Sequence, residues 1–141
     1  MVYQEPSAEA DALARQVIGA AIEVHRYLGV GYLESVYEEA LCVELQLQGI
    51  PFERQKAIAV EYKGHSVGEG RLDLLVGGCL VVELKTVEAF APIHQAQVIS
   101  YLKATGLQLG LLINFHVPVL KDGIRRVVLS NRQDAKSAKQ N

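Results

Sequence analysis

Residues 69–85 read EGRLDLLVGGCLVVELK, two apolar stretches joined by Gly77-Gly78-Cys79. Leu- and Val-rich halves separated by glycines predict a pair of antiparallel strands with a tight turn. Successive side chains along a strand point to opposite faces. Leu72, Leu74 and Val76 therefore share one face, and Glu69, Arg71 and Asp73 the other. On the second strand Leu80, Val82 and Leu84 share a face, opposite Val81, Glu83 and Lys85. Both strands are apolar on one side and charged on the other, at the end away from the turn.

Register decides whether those charges meet. A two-residue Gly77-Gly78 loop would pair Asp73 with Val82, because directly opposed residues lie on one face. A three-residue loop, Gly77-Gly78-Cys79, pairs Asp73 with Glu83 and needs one residue of positive φ, which either glycine supplies. The second register is the expected one. It sets two carboxylates side by side with Lys85 two residues along the same face. Like charges that close require a shared proton or a cation between them. A hard divalent ion with oxygen ligands answers that need; the alternative is a structural cluster in which Lys85 bridges Asp73 and Glu83, and charge proximity alone does not separate the two.

Asp73 followed on the next strand by Glu83-Leu84-Lys85 resembles the active-site signature of the PD-(D/E)xK nuclease superfamily. The string Gly31-Tyr32-Leu33-Glu34-Ser35-Val36-Tyr37 matches the pattern that names the GxxExxY family within it, and GEGRLD (68–73) and Gln97…Tyr101 add to the likeness. It runs from the first helix to the last strand. Leu72 stands where the superfamily name has Pro, a substitution shared by many members.

The resemblance implies a restriction-endonuclease-like α/β core and metal-assisted phosphodiester hydrolysis. Asp73, Glu83 and the backbone carbonyl of Leu84 would hold Mg²⁺, with Mn²⁺ as a substitute, and Glu34 would complete the metal site from the helix before the sheet. Lys85 would position the attacking water and offset phosphate charge. Gln97 matches the glutamine of the QxxxY element of RecB-like domains, which helps orient catalytic groups. Tyr101 either shares that support or is a packed aromatic with its hydroxyl at the rim, and Tyr37 is a further candidate for support. Arg71 is a candidate phosphate ligand, although an ion pair with Glu69 is the simpler reading.

The chain has 141 residues, of which 50% are hydrophobic and 21% charged, the proportions of one globular domain with a real core. Its formal net charge of −2 is unlike the basic balance of most nucleic-acid binders, so nucleic acid would be held by a local basic patch or through metal. No apolar run reaches membrane-span length and no signal-peptide pattern opens the chain, so a cytoplasmic location is the default. Cys42 and Cys79 lack metal-site spacing and read as reduced structural residues.

Residues 1–6 read as a loose leader, 7–130 as a single domain, and 131–141 as a disordered tail. Ser7 is the expected N-cap of a helix to Leu28, with a stripe of Leu13, Val17, Ile18, Ala21, Val24 and Leu28; His25 and Arg26 suit its C-terminal dipole. A second helix is expected from Tyr32 to Gln48, burying Leu33, Val36, Tyr37, Ala40 and Leu41, with Glu38 and Glu39 as solvated acidic residues of the first turn. Phe52–Tyr62 alternates as a strand. Lys56, Lys63 and His65 are edge and turn residues or phosphate contacts. Pro92 opens a third helix ending at Gly106, on which His94 is a helix-flank residue. Leu109–Phe115 reads as a strand buried on both faces, Lys121-Asp122-Gly123 as a turn, and Ile124–Leu129 as the last strand. The order predicts a central mixed sheet of about five strands, beginning with a three-strand meander, flanked by helices.

Metal-dependent hydrolysis of nucleic acid, DNA ahead of RNA, is the function this reading favours. Its rival is a catalytically inactive nucleic-acid-binding or assembly protein on the same fold, for which a homodimer is a candidate state.

Overall fold

Secondary structure begins where Ser7 Oγ accepts a hydrogen bond from the Ala10 N–H, capping helix α1 (Ala8–Leu28). The computed structural model describes residues 5–129; the expected disordered tail, 131–141, and most of the expected leader lie outside the described residues. After α1 come α2 (Glu34–Leu47), β1 (Phe52–Tyr62), β2 (His65–Val76), β3 (Leu80–Lys85), α3 (Pro92–Thr105), β4 (Leu109–Asn114) and β5 (Ile124–Val128). A short 3₁₀ turn over Leu120–Gly123 leads into β5.

The five strands form one sheet in the order β1-β2-β3-β4-β5. The first three make an antiparallel meander. Helix α3 then crosses over to bring β4 parallel to β3, and β5 returns antiparallel to β4. The mixed sheet, the meander and the crossover are those expected from the order of elements.

Two apolar clusters hold the layers together. On one face α1 and α2 pack Val17, Ala21, Tyr37, Leu41 and Leu45 against Leu74, Val82, Leu84 and Leu111. On the other, α3 packs Val98 and Leu102 against Leu72, Val81, Leu112 and Val127. β3 and β4 thus contribute to both clusters, which accounts for their nearly unbroken apolar sequence.

Three expectations about facing need correction. Leu72 does not share a face with Leu74 and Val76: it packs on the α3 side, and they pack on the α1/α2 side. Strict alternation therefore breaks at Asp73. On α2, Leu33 and Val36 are exposed, and the buried flank is Tyr37, Glu38, Leu41, Cys42 and Leu45. Helix α2 starts at Glu34, so Leu33 is its N-cap and lies outside the helical stripe. Glu38 is not a solvated acid but is buried against Arg54. His25, expected to do no more than suit the helix dipole, is also buried and donates from Nε2 to the Val117 carbonyl at 2.8 Å.

Candidate active site

The β2–β3 register is that of the three-residue loop, with Leu74 opposite Val82 and Val76 opposite Leu80. Gly77 and Gly78 have φ of 59° and 71°, the left-handed values such a turn needs. Continuing that register by one residue sets Asp73 opposite Glu83, but there the backbone ladder has ended. Side chains replace it. The Asp73 N–H donates to Glu83 Oε1 at 3.3 Å, and the Leu84 N–H donates to Asp73 Oδ2 at 2.8 Å.

The N–H and C=O of one strand residue point to the same flank. Since the Leu84 N–H is turned toward β2, its carbonyl is turned that way too, toward the acidic pair. The Lys85 carbonyl points to the opposite flank, where it accepts from the Phe115 N–H at 2.9 Å.

Glu83 is 4% exposed. Burial first, then the charge of Asp73 and a hydrogen bond to it, push the Glu83 carboxyl up to about 9. Lys85 pulls it down only in part. Among the described residues Lys85 forms no ion pair with Asp73 or Glu83, so the expected alternative of a lysine-bridged cluster is not what the side chains build. A proton or a cation is left to neutralise the pair.

Glu34, the first residue of α2, is half-buried and within electrostatic reach. Its carboxyl is raised by burial and by Asp73, and lowered by Lys85. It does not close a cage: among the described residues no three His, Cys, Asp or Glu side chains come together as a metal cluster. Two carboxylates with a third near by suit Mg²⁺, which is commonly bound through one or two carboxylates and keeps several waters.

The motif 31–37 also has a structural account. Tyr37 is buried, stacks on Phe115 with ring centroids 4.6 Å apart, and donates its hydroxyl to the Gly29 carbonyl. It thereby ties the α1–α2 turn to the core and fixes where Glu34 begins its helix. The Tyr37 hydroxyl is thus engaged with the backbone.

Gln97 and Tyr101 do come together on α3, the Gln97 amide donating to the Tyr101 hydroxyl at 3.1 Å. Tyr101 packs against β2, where a Cβ at position 70 would stand 2.8 Å from its ring; Gly70 leaves room for it. Gln97 is joined to the tyrosine and to neither carboxylate. Arg71 forms no ion pair with Glu69 among the described residues and instead donates to the Gln55 carbonyl at 3.1 Å. His94 is a helix-flank residue as expected, its Nδ1 accepting from the Ala91 N–H.

Residues that the sequence reading passed over surround this site. Gln55 donates to Glu38 at 2.8 Å and to Asp73 at 3.4 Å, and Arg54 donates to Glu38 at 2.7 Å and to Glu39. Asn114, buried beside Lys85, bonds both backbone groups of Val87 and so fastens the segment that leaves β3. The signal for Gln55 was available only through the β1–β2 register, which slips by one residue near Val60. A cavity of about 800 Å³ lies between β1 and α3, lined by residues such as Lys56, Ile58, Ser100 and Thr105, and holds neither carboxylate.

Residues 11–127 match the PD-(D/E)XK nuclease superfamily. The chain belongs to it. The fold of this superfamily member is also similar to the crystal structure of an alkaline exonuclease, LHK-Exo, from Laribacter hongkongensis. The TM-score is 0.52, over 92% of this chain and 74% of that one, at 14% identity. Comparison with curated proteins gives no match. Among the described residues no helix of this superfamily member is long and apolar enough to cross a membrane.

Proposed function

We propose that this chain is a metal-dependent nuclease that hydrolyses phosphodiester bonds, in DNA ahead of RNA. The observation that carries the reading is the pairing of Asp73 with buried Glu83, with no lysine or arginine bridging them among the described residues. Such a pair needs positive charge, and its all-oxygen donors fit Mg²⁺ or Mn²⁺. Asp73, Glu83 and the Leu84 carbonyl would hold the ion, and Glu34 would add a third acidic group. Bound there, the ion supplies Lewis-acid polarisation of the phosphate and makes a water more acidic.

The chain's own groups supply the rest. Lys85, on the same strand as Glu83 and half-exposed, orients the attacking water through its donors and offsets phosphate charge. Arg71 is a second candidate phosphate ligand, since among the described residues it bonds a carbonyl and pairs with no carboxylate. Gln97 and Tyr101 support the α3 side of the site, and Tyr37 supports Glu34. Membership of a nuclease superfamily supports the hydrolytic reading as a whole.

The test is calorimetric titration of Mg²⁺ and Mn²⁺ into wild type and Asp73→Ala, followed by single- and double-stranded DNA and RNA in the same tubes. Binding and cleavage that both vanish in Asp73→Ala support the nuclease. Wild type that binds no metal at millimolar concentration would overturn it in favour of a nucleic-acid-binding or assembly protein. One feature favours assembly as the second reading: Val36, Val43 and Leu47 form an exposed apolar stripe along α2, with exposed Leu33 at its N-cap, suited to a homodimer. Sedimentation at several concentrations tests for one.

A further inference from the structure

We infer that Gln55 is the positioning residue for Asp73, fixing its carboxylate against the buried Glu38 carboxylate of α2, which Arg54 of β1 pairs from the more exposed side. Two independent features converge on this residue. The first is its backbone. Gln55 has φ of +52°, a conformation that side chains other than glycine rarely adopt. Backbone ladder pairs stand on either side of it, Arg54 with Leu74 and Lys56 with Leu72, but Gln55 and Asp73 between them form none. The distortion thus falls opposite the acidic residue, and strained backbone retained at such a place points to a function for what it holds.

The second is its side chain. The Gln55 amide faces two carboxylates, Glu38 Oε1 at 2.8 Å and Asp73 Oδ1 at 3.4 Å. Carboxylates only accept, so the nitrogen must be the atom turned toward both, and its two hydrogens serve one each. Glu38 is itself anchored, 7% exposed and bonded by Arg54 at 2.7 Å. Asp73 Oδ2 is already taken by the Leu84 N–H. With Oδ1 on Gln55 and Oδ2 on Leu84, the carboxylate is held at both oxygens. Arg71 completes the frame by donating to the Gln55 carbonyl. Left-handed backbone at position 55 swings the amide into this place, and the chain links α2, which carries Glu34, to the β2–β3 carboxylates.

The consequence for metal affinity rests on the nuclease reading above; the fixing of Asp73 does not. Two variants separate the side chain from the backbone. Gln55→Gly adopts the same φ without strain and so keeps the fold, but has no amide. Gln55→Glu keeps the length and loses the donors. Amide hydrogen exchange of Leu84 is read in metal-free protein, with Val82 and Leu111 as internal references, and Mg²⁺ affinity is read by calorimetry.

Faster exchange at Leu84 in both variants, on the order of tenfold or more with the references unchanged, is the expected result. It should be accompanied by metal binding weakened on the order of 10–100-fold, the usual effect of losing an outer partner of a ligand. Leu84 exchange equal to wild type in either variant would overturn the inference, as would Mg²⁺ affinity unchanged in Gln55→Gly. Wild type that binds no Mg²⁺ would defeat the nuclease reading instead, and the exchange data alone would then decide the role of Gln55.

Discussion

The Leu84 N–H is bonded to the Asp73 carboxylate at 2.8 Å, although the backbone ladder between their strands stops at Leu74 and Val82. A side chain has taken over the part of a strand neighbour, on the flank to which the strand's alternation also turns the Leu84 carbonyl. Asp73→Asn keeps an acceptor for Leu84 but removes the charge. Metal affinity should fall by on the order of 10²-fold or more, and the Leu84 amide should exchange faster than in wild type, because the one amide oxygen cannot serve both Gln55 and Leu84. Calorimetry beside hydrogen exchange on this one variant checks both halves.

Glu83 makes the metal-free protein sensitive to pH in a defined direction. Its folded value, about 9, lies above the ordinary 4.5, so the folded state holds the proton more tightly than the unfolded chain. That contribution to stability is complete below about pH 4.5 and is lost as the pH rises toward 9. Chelator-treated wild type should therefore become less stable across this window, and Glu83→Gln should flatten the trend. Urea midpoints measured from pH 5 to 9 give the answer.

The same proton should leave when metal arrives, because a ligating carboxylate must be ionised. At pH 7 titration with Mg²⁺ should release close to one proton per ion bound, and affinity should rise with pH up to about 9. Titrations in buffers of different ionisation enthalpy measure the release. Heats independent of buffer would show that Glu83 is not the group displaced.

Arg54→Ala removes the partner of a glutamate whose side chain is only 10% exposed. Leaving that carboxylate without its ion-pair partner, bonded by Gln55 alone, should cost about 1–3 kcal/mol of stability. Arg54→Ala with Glu38→Leu should recover part of the loss, since the buried charge goes with its partner. Denaturant unfolding of the two single variants and the double one closes the cycle.

Gly70→Ala places a methyl group 2.8 Å from the Tyr101 ring. Tyr101 must shift, and the Gln97–Tyr101 bond with it. If that pair orients groups for the reaction, turnover should drop while Mg²⁺ affinity remains that of wild type. Equal turnover would reduce Tyr101 to a packing residue.

The sequence made the frame legible where local chemistry determined it. Ser7, Pro92 and Gly106 marked helix ends by capping and φ preference, and the paired glycines at 77 and 78 set a register that brought Asp73 to Glu83. Alternation misled at Leu72, because Asp73 sits where the strand departs from regular pleating. Helical periodicity misled at Leu33 and Val36, since a second apolar stripe on α2 looks the same in sequence whether or not anything covers it. Gln55, Glu38 and Arg54 stayed hidden for a different reason. Their bonds span 15 to 18 residues, and the decisive feature, a left-handed glutamine, has no signature in residue type.

Asp73, Glu83, Leu84 and Lys85 all belong to one hairpin, closed by the short turn after Val76. Four of the proposed groups are thus inherited as a single contiguous piece of chain, to which α2 adds Glu34 and β1 adds Gln55, and much of the rest is scaffold. Selection can therefore act on the two parts separately. A fold neighbour at 14% identity shows that this architecture tolerates replacement of most of its residues.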